Sequence, residues 1–457
     1  MLLKDYIQNI SREGVVDGVK NIKRYHIASK RILSDNNPLI KNGPKSVINH
    51  GDNTRIYNIA QPKINSFLAA SSLSHLLDGW IYLSHAFKSI LNGDEATAIH
   101  LAYYAELRSA MSILATEGLG VFNNQHLGIF SPTSSKEFPV NGYKNKGTPP
   151  ILTRTAKPYG THTFTWDAIS ELSKSPTKLN TEILKIFKVS GKNFLELTQY
   201  FHPATAGSTI LTSTTIKKWL KEWCLDIKMY RGDRDNRNEV SYRPQKIKNF
   251  NGRIDFQTIL NDLEKYWLII SPSNTDKFDM LDKYLLRKLY SAIYPRLGTL
   301  TPKIDLIRDA FNEHGINDEI LFKFLDFQSP YSDDHLIFHN ANAKKTDAMS
   351  ILARATLLLR ISIGLVSQLY KDGGVSKNEL DFVWENYGIE SGFWETSNTP
   401  SDFTNLWSDI QPSLSDLISD INLPGSRNDL FLIKERQPEA MQNFGQINRA
   451  CLWGMDF

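Results

Sequence analysis

Two cysteines among 457 residues, Cys224 and Cys451, are too few for a disulfide framework or a cysteine-ligated zinc site. That scarcity fits a reducing, cytoplasmic setting. The opening residues, Met1 to Tyr6, lack the continuous apolar core of a signal peptide. Long hydrophobic runs are also missing. The most apolar stretch, Thr356 to Tyr370, is broken by Arg360 and is shorter than the roughly 20 apolar residues that cross a bilayer. It reads as a buried helix, with no membrane partner expected. There is no Gly-rich loop ending in Gly-Lys-Ser/Thr, no Gly-x-Ser-x-Gly elbow and no His-Glu-x-x-His pair. Asp333, Asp334, His335 and His339 have ligand-like types but no cysteine or spaced carboxylate beside them. Neither a metal nor another cofactor is expected.

What remains is ordinary globular composition, with 41% hydrophobic and 22% charged residues, so a packed core is expected over most of the chain. The net charge of +4 is compatible with a nucleic-acid partner only if the charge is locally concentrated. Alternating apolar patterns are scarce, which predicts an all-α protein with long loops and few strands. The length predicts two helical-bundle domains. The boundaries read as a basic N-terminal helix and loop over 1–62, a first helical domain over 63–250, a connecting segment over 251–300 and a second helical domain over 301–457. Lys20, Lys23, Arg24, Lys30 and Arg31 share one side if 17–33 is helical, either as a solvated face or as an arm that contacts phosphate.

Within the first domain, 64–91 and 95–117 read as long helices separated by Asn92-Gly93, with Asp94 as N-cap, and so as an antiparallel hairpin. Residues 122–160 decay into Asn, Gly, Ser, Lys and Pro and read as a long loop of the kind that carries function. A further helix spans 214–242, and the second domain centres on a helix from Ala343 to Tyr370. Ala110 to Ala115 recurs identically as Ala348 to Ala353, consistent with a duplicated unit or with two buried helices of similar composition.

The candidate chemistry begins with buried charge. Helix 95–117 is apolar nearly all round, so Glu106 and Arg108 are expected inside, either ion-paired or lining a polar site. On 214–242 the stripe Ile216, Leu220, Trp223, Ile227, Tyr230 continues at the same angle into Arg234, Asn238 and Ser241, with Arg237 and Tyr242 beside it. Arg231, Arg234 and Arg243 lie in the same run. These groups read either as a structural ion network or as a phosphate or nucleic-acid site, since guanidinium forks match phosphate oxygens. His126 and His162, in the intervening loop region, are candidate proton carriers.

Asp78-Gly79-Trp80, the hairpin at Gly93 and Tyr103-Tyr104-Ala105-Glu106-Leu107-Arg108-Ser109-Ala110 resemble the helical core of bacterial HEPN-like, abortive-infection-like proteins. Arg237-Asn238-x-x-Ser241-Tyr242 is similar to the arginine-polar signature of that class, and Cys451 to Met455 resemble its chain ends. The resemblance covers about half the chain. It implies an RNA-acting effector of a bacterial defence system, a metal-independent endoribonuclease that assembles as a homo-oligomer. By that resemblance Glu106, Arg108, His126, His162, Arg237, Asn238 and Tyr242 form the catalytic set, and Arg231, Arg234 and Arg243 bind nucleic acid. Tyr242 stands where the class places a histidine, so His126 or His162 must substitute for cleavage to occur. Arg308 and His314 match the spacing literally, a match that chance alone supplies in a chain with this many such residues. The competing expectation is a non-catalytic helical subunit that binds a partner protein or nucleic acid in a defence complex.

Overall fold

Good helix formers fill 61–116, and that stretch folds as the expected hairpin. A computed structural model of the chain describes residues 2–44, 59–123, 125–138, 160–175, 180–201, 208–223, 226–242, 256–395, 399–422 and 430–455. In chain order, the elements that build the molecule around its centre are α1 (Leu3–Asn9), α2 (Arg12–Tyr25), α3 (Gln61–Leu91) and α4 (Glu95–Thr116). Strands β1 (Leu119–Phe122), β2 (Gln125–Ser131) and β3 (Ser134–Glu137) follow, then α5 (Thr161–Lys174), α6 (Ser208–Trp223), α7 (Ile227–Tyr242), α8 (Phe256–Ile269), α9 (Asp279–Ile293) and α10 (Ala348–Asp372). The fold is mainly α-helical, as expected.

The turn at Gly93 and the Asp94 cap hold as read: the Asp94 carboxylate accepts from the Thr97 amide at 3.0 Å. α10 begins five residues later than expected, because Asp347 caps it through the Ser350 amide at 2.9 Å. By length and composition α10 could cross a membrane, yet 89% of its apolar window is buried. It lies against both α3 and α4 as the central core helix. The two copies of Ala-Met-Ser-Ile-Leu-Ala therefore sit on helices that pack on each other.

Three features differ from the sequence reading. Packing crosses the boundaries expected at 62, 250 and 300: Tyr6, Val15, Val19 and Ile22 join α3, α4 and α10 in one contiguous core that extends to Trp453. The start of the stretch 122–160, taken for a loop, instead belongs to a three-stranded antiparallel sheet that begins at Leu119 and ends at Glu137. Tyr6 packs over Gly128 and Phe130 and Phe164 of α5 stacks on His126 on one face of β2, while Ile129 on the other face meets Gly14 of α2, so β2 is covered on both faces and shows no polar-apolar alternation. Finally, 214–242 is two helices, α6 and α7, rather than one rod.

The N-terminal basic side chains lie on a solvated face. Lys23 pairs with Glu379 at 3.1 Å and Arg31 with Asp35 at 2.9 Å, while Lys20, Arg24 and Lys30 are exposed. Opposite them, α2 rests on α3 through Gly18, where a Cβ would stand 2.2 Å from the Asn65 carbonyl oxygen. Because backbone is the obstacle, Gly18→Ala is expected to destabilise the fold by about 1–3 kcal/mol, read by urea unfolding. An unchanged midpoint would contradict this docking.

Candidate functional site

α4 carries chemistry on two sides. Glu106 points toward α7 and α10 and is fully buried. There Arg354 of α10 makes a two-pronged bond to Asp233 of α7, Nε to Oδ2 at 2.9 Å and Nη2 to Oδ1 at 2.7 Å. Its Nη2 also donates to the Lys345 carbonyl at 3.1 Å. Glu106 Oε1 lies 3.5 Å from Arg354 Nε. Burial, and then the negative Asp233 nearby, push the Glu106 carboxyl well above the usual range, with Arg354 opposing. Asp233 is raised as well, by burial. One guanidinium thus serves two carboxyl groups, an arrangement that holds three helices in register.

Along α7 the inward residues are Tyr230, Asp233, Arg237 and Val240. The break between α6 and α7 resets the helical phase, so the angle carried over from Ile216 and Trp223 does not hold. Asn238 and Tyr242 face solvent, Tyr242 being 87% exposed. Arg237 enters instead. Its guanidinium carbon lies 5.1 Å from the ring centre of Tyr103 and 5.4 Å from that of Tyr104, and Nη2 is 3.4 Å from His162 Nδ1. Its Nε is buried without a hydrogen-bond partner, and no carboxylate pairs with it among the described residues.

His162 occupies the first turn of α5. Beside it opens a cleft of about 630 Å³, lined in part by His75, Tyr104, Arg108, Thr161 and His162. Arg108 Nη1 lies 3.0 Å from His75 Nδ1, and its Nε is 3.5 Å from Asp78. Arg234 reaches the Thr163 hydroxyl at 3.3 Å and pairs with its neighbour Asp235 at 3.0 Å.

The hydrogen bonds assign two of the tautomers. A guanidinium only donates, so His75 Nδ1 accepts and its proton sits on Nε2. Trp166 Nε1 donates to the Tyr103 hydroxyl at 3.2 Å, and that hydroxyl lies 2.9 Å from His162 Nδ1, which also faces Arg237. Arg237 Nη2 lies as near to His162 Nε2, at 3.5 Å, so these contacts are compatible with the His162 proton on either ring nitrogen. At His100 the order is the reverse of that at His75. The Ser241 hydroxyl donates to the Arg237 carbonyl at 2.8 Å, so His100 Nδ1, 2.7 Å from that oxygen, must donate, leaving Nε2 as acceptor. The His100 and His162 rings both lie against Tyr104, at 5.0 and 6.0 Å between centroids.

All three imidazoles are held neutral. Burial, then Arg237, Arg234 and Arg108, pull His162 down to about 4. Burial and then Arg108 pull His75 down to about 3. His100 is lowered by burial and then by Arg237. The Tyr103 hydroxyl is raised by burial and stays protonated. The site combines surplus positive charge with neutral rings that can each donate or accept.

Of the residues expected at the site, Arg108, His162 and Arg237 gather here, with Arg234 at its edge. Glu106 belongs to the Arg354 clamp. His126 is 2% exposed and stacked on Phe164 at 3.6 Å, a core position away from the cleft lining. Arg231 pairs with Asp167 of α5 at 2.5 Å. Arg243 lies outside the described residues. Arg308 is tied to Glu319 and Asp305 at the surface. Among the described residues no group of three or more His, Cys, Asp or Glu is placed to hold a metal. His75, His100, Tyr103 and Arg354 were missed. His75 had one usable signal: with the turn set at Gly93, the antiparallel register places Arg108 opposite the segment between His75 and Asp78.

No family model, curated protein or solved structure matches this chain.

Removing Arg354 strands two buried carboxyl groups, so Arg354→Ala is expected to lose about 3–5 kcal/mol in urea unfolding, with little recovery in Arg354→Lys because lysine lacks the planar fork. A loss below about 1 kcal/mol would refute the clamp. For Glu106, the unfolded carboxyl ionises near its ordinary 4.5 while the folded one keeps its proton. The folded state then binds more protons, and stability falls as pH rises. Glu106→Gln should gain in melting temperature over wild type between about pH 5 and pH 8; equal slopes would refute the shift. His162 has the opposite sign. Folded it titrates near 4, unfolded near 6.5, so stability falls as pH drops through that window. His162→Gln should flatten that limb of the melting curve.

Proposed function

We propose that the cleft binds a phosphodiester of RNA and cleaves it, as a HEPN-like effector of a bacterial defence or stress response, working in the cytoplasm as a homo-oligomer. The supporting observation is Arg237, a half-buried guanidinium without a carboxylate partner among the described residues, set against the neutral His162, which lines the cleft together with Arg108. Withdrawing a cation from water without a counter-charge is unfavourable, and a phosphate supplies that charge. The resemblance to HEPN-like proteins adds the RNA. In that class an arginine and a histidine act together, and here His162, on another helix, stands beside Arg237 in place of the absent histidine at 242.

The chemistry needs only the chain's own groups. His100, which touches Tyr104 without lining the cleft, takes the proton of the ribose 2′-hydroxyl at Nε2 through a water. The 2′-oxygen bonds to phosphorus while the bond from phosphorus to the 5′-oxygen breaks, giving a 2′,3′-cyclic phosphate. Phosphate charge near the arginines offsets their part in depressing His162, which takes a second proton from solvent and passes one to the leaving 5′-oxygen, while His100 returns its proton to solvent. Arg108 and Arg237 stabilise the added negative charge of the phosphorane.

Purified protein incubated with total RNA should leave cyclic-phosphate ends. Arg237→Ala and His162→Ala should each slow cleavage by about 10²-fold or more without altering the far-UV spectrum. Cleavage that ignores both substitutions removes the reading. The exposure of Asn238 and Tyr242 favours a second reading, a non-catalytic RNA-binding subunit of a defence complex. It predicts binding that weakens in both variants and no cleavage in any.

A further inference from the structure

The cleft is not uniformly polar. Besides Arg108, His75 and His162 its lining includes the apolar Leu107, Met111, Val121 and Phe122. The mixture follows from helix geometry: residues 104 and 108 form one row on α4, residues 107 and 111 the next, and Val121 and Phe122 on β1 add to the apolar part. Phe122 is half-buried and meets the ring of Phe67 at 5.4 Å, tilted by 56°. Its ring lies back over Gly120, where a Cβ would stand 2.4 Å from Phe122 Cζ. A glycine at that position lets the ring lie across the strand at the cleft wall.

We infer, on the footing of the RNA-binding reading above, that this cleft takes a single unpaired nucleotide. Its phosphate lies at Arg108 and His162, and its base against Phe122 and Met111. The volume of about 630 Å³ falls in the range that encloses small ligands. A base has an apolar face to stack and a phosphate one sugar away, which matches a cleft whose lining sets apolar side chains beside a guanidinium. A paired base must first be unstacked and unpaired, at a cost of about a few kcal/mol, so single strands, loops and ends are the favoured substrates. Free nucleoside monophosphates share this chemistry.

The test is competition against a fluorescent single-stranded hexaribonucleotide, followed by anisotropy with the full chain. Adenosine 5′-monophosphate should displace it about tenfold better than ribose 5-phosphate, the difference being the stacked base. A self-complementary duplex should compete poorly. Phe122→Ala should erase the advantage of the base while leaving competition by inorganic phosphate unchanged. Phe122→Leu and Gly120→Ala, which keep an apolar wall but lose or displace the ring, should reduce it. If adenosine monophosphate and ribose 5-phosphate compete equally on wild type, or the duplex competes as well as the single strand, the nucleotide pocket is overturned. If the hexamer binds Arg108→Ala as well as wild type and inorganic phosphate never competes, the phosphate site itself fails instead. Tighter binding of the hexamer than of the monophosphate assigns the pocket to an RNA strand, and the reverse assigns it to the free nucleotide.

Discussion

Everything at the cleft depends on how α4 and α7 are held, and a single buried guanidinium holds them. Arg354 grips Asp233 of α7 with both prongs and lies beside Glu106 of α4. Tyr103 is one turn from Glu106, and Arg237 one turn from Asp233. Fixing the first pair of residues fixes the second, so the Arg237 guanidinium is brought over the Tyr103 and Tyr104 rings. A buried ion cluster is weak as a source of stability and strong as a specifier of register. Here it separates the charge that serves the fold from the charge that serves the cleft.

The contrast between the two clusters carries the functional argument. At the clamp, carboxyl groups outnumber guanidinium groups and are driven toward their protonated forms. At the cleft, Arg108, Arg234 and Arg237 surround imidazoles that burial and repulsion keep neutral. An anion would relieve that repulsion. The sequence holds both arrangements on the same two helices, α4 and α7, one turn apart.

Much of the fold was legible. The hairpin, its Asp94 cap and the buried character of 356–370 follow from periodicity and turn chemistry, which are local properties. The β1–β3 sheet was not, because β2 is covered on both faces and loses its alternation. At the site, Arg108 and Arg237 could be read from residue type and from burial of their helices, and His162 from residue type alone. Asn238 and Tyr242 were misplaced because the stripe was extended through a helix break that no proline or glycine marks. Glu106 was correctly read as buried. That its partner would be Arg354, 248 residues further along the chain, depends on tertiary packing that a single sequence does not display.

The account rests on the cleft being an anion site where burial and then the nearby arginines depress His162. The direct measurement is the imidazole titration of His162 by NMR, with and without inorganic phosphate. Without the anion the ring should titrate near 4, and with phosphate bound the midpoint should move up toward its ordinary 6.5. A midpoint that stays fixed on adding phosphate, or that begins at 6.5 in its absence, would contradict it.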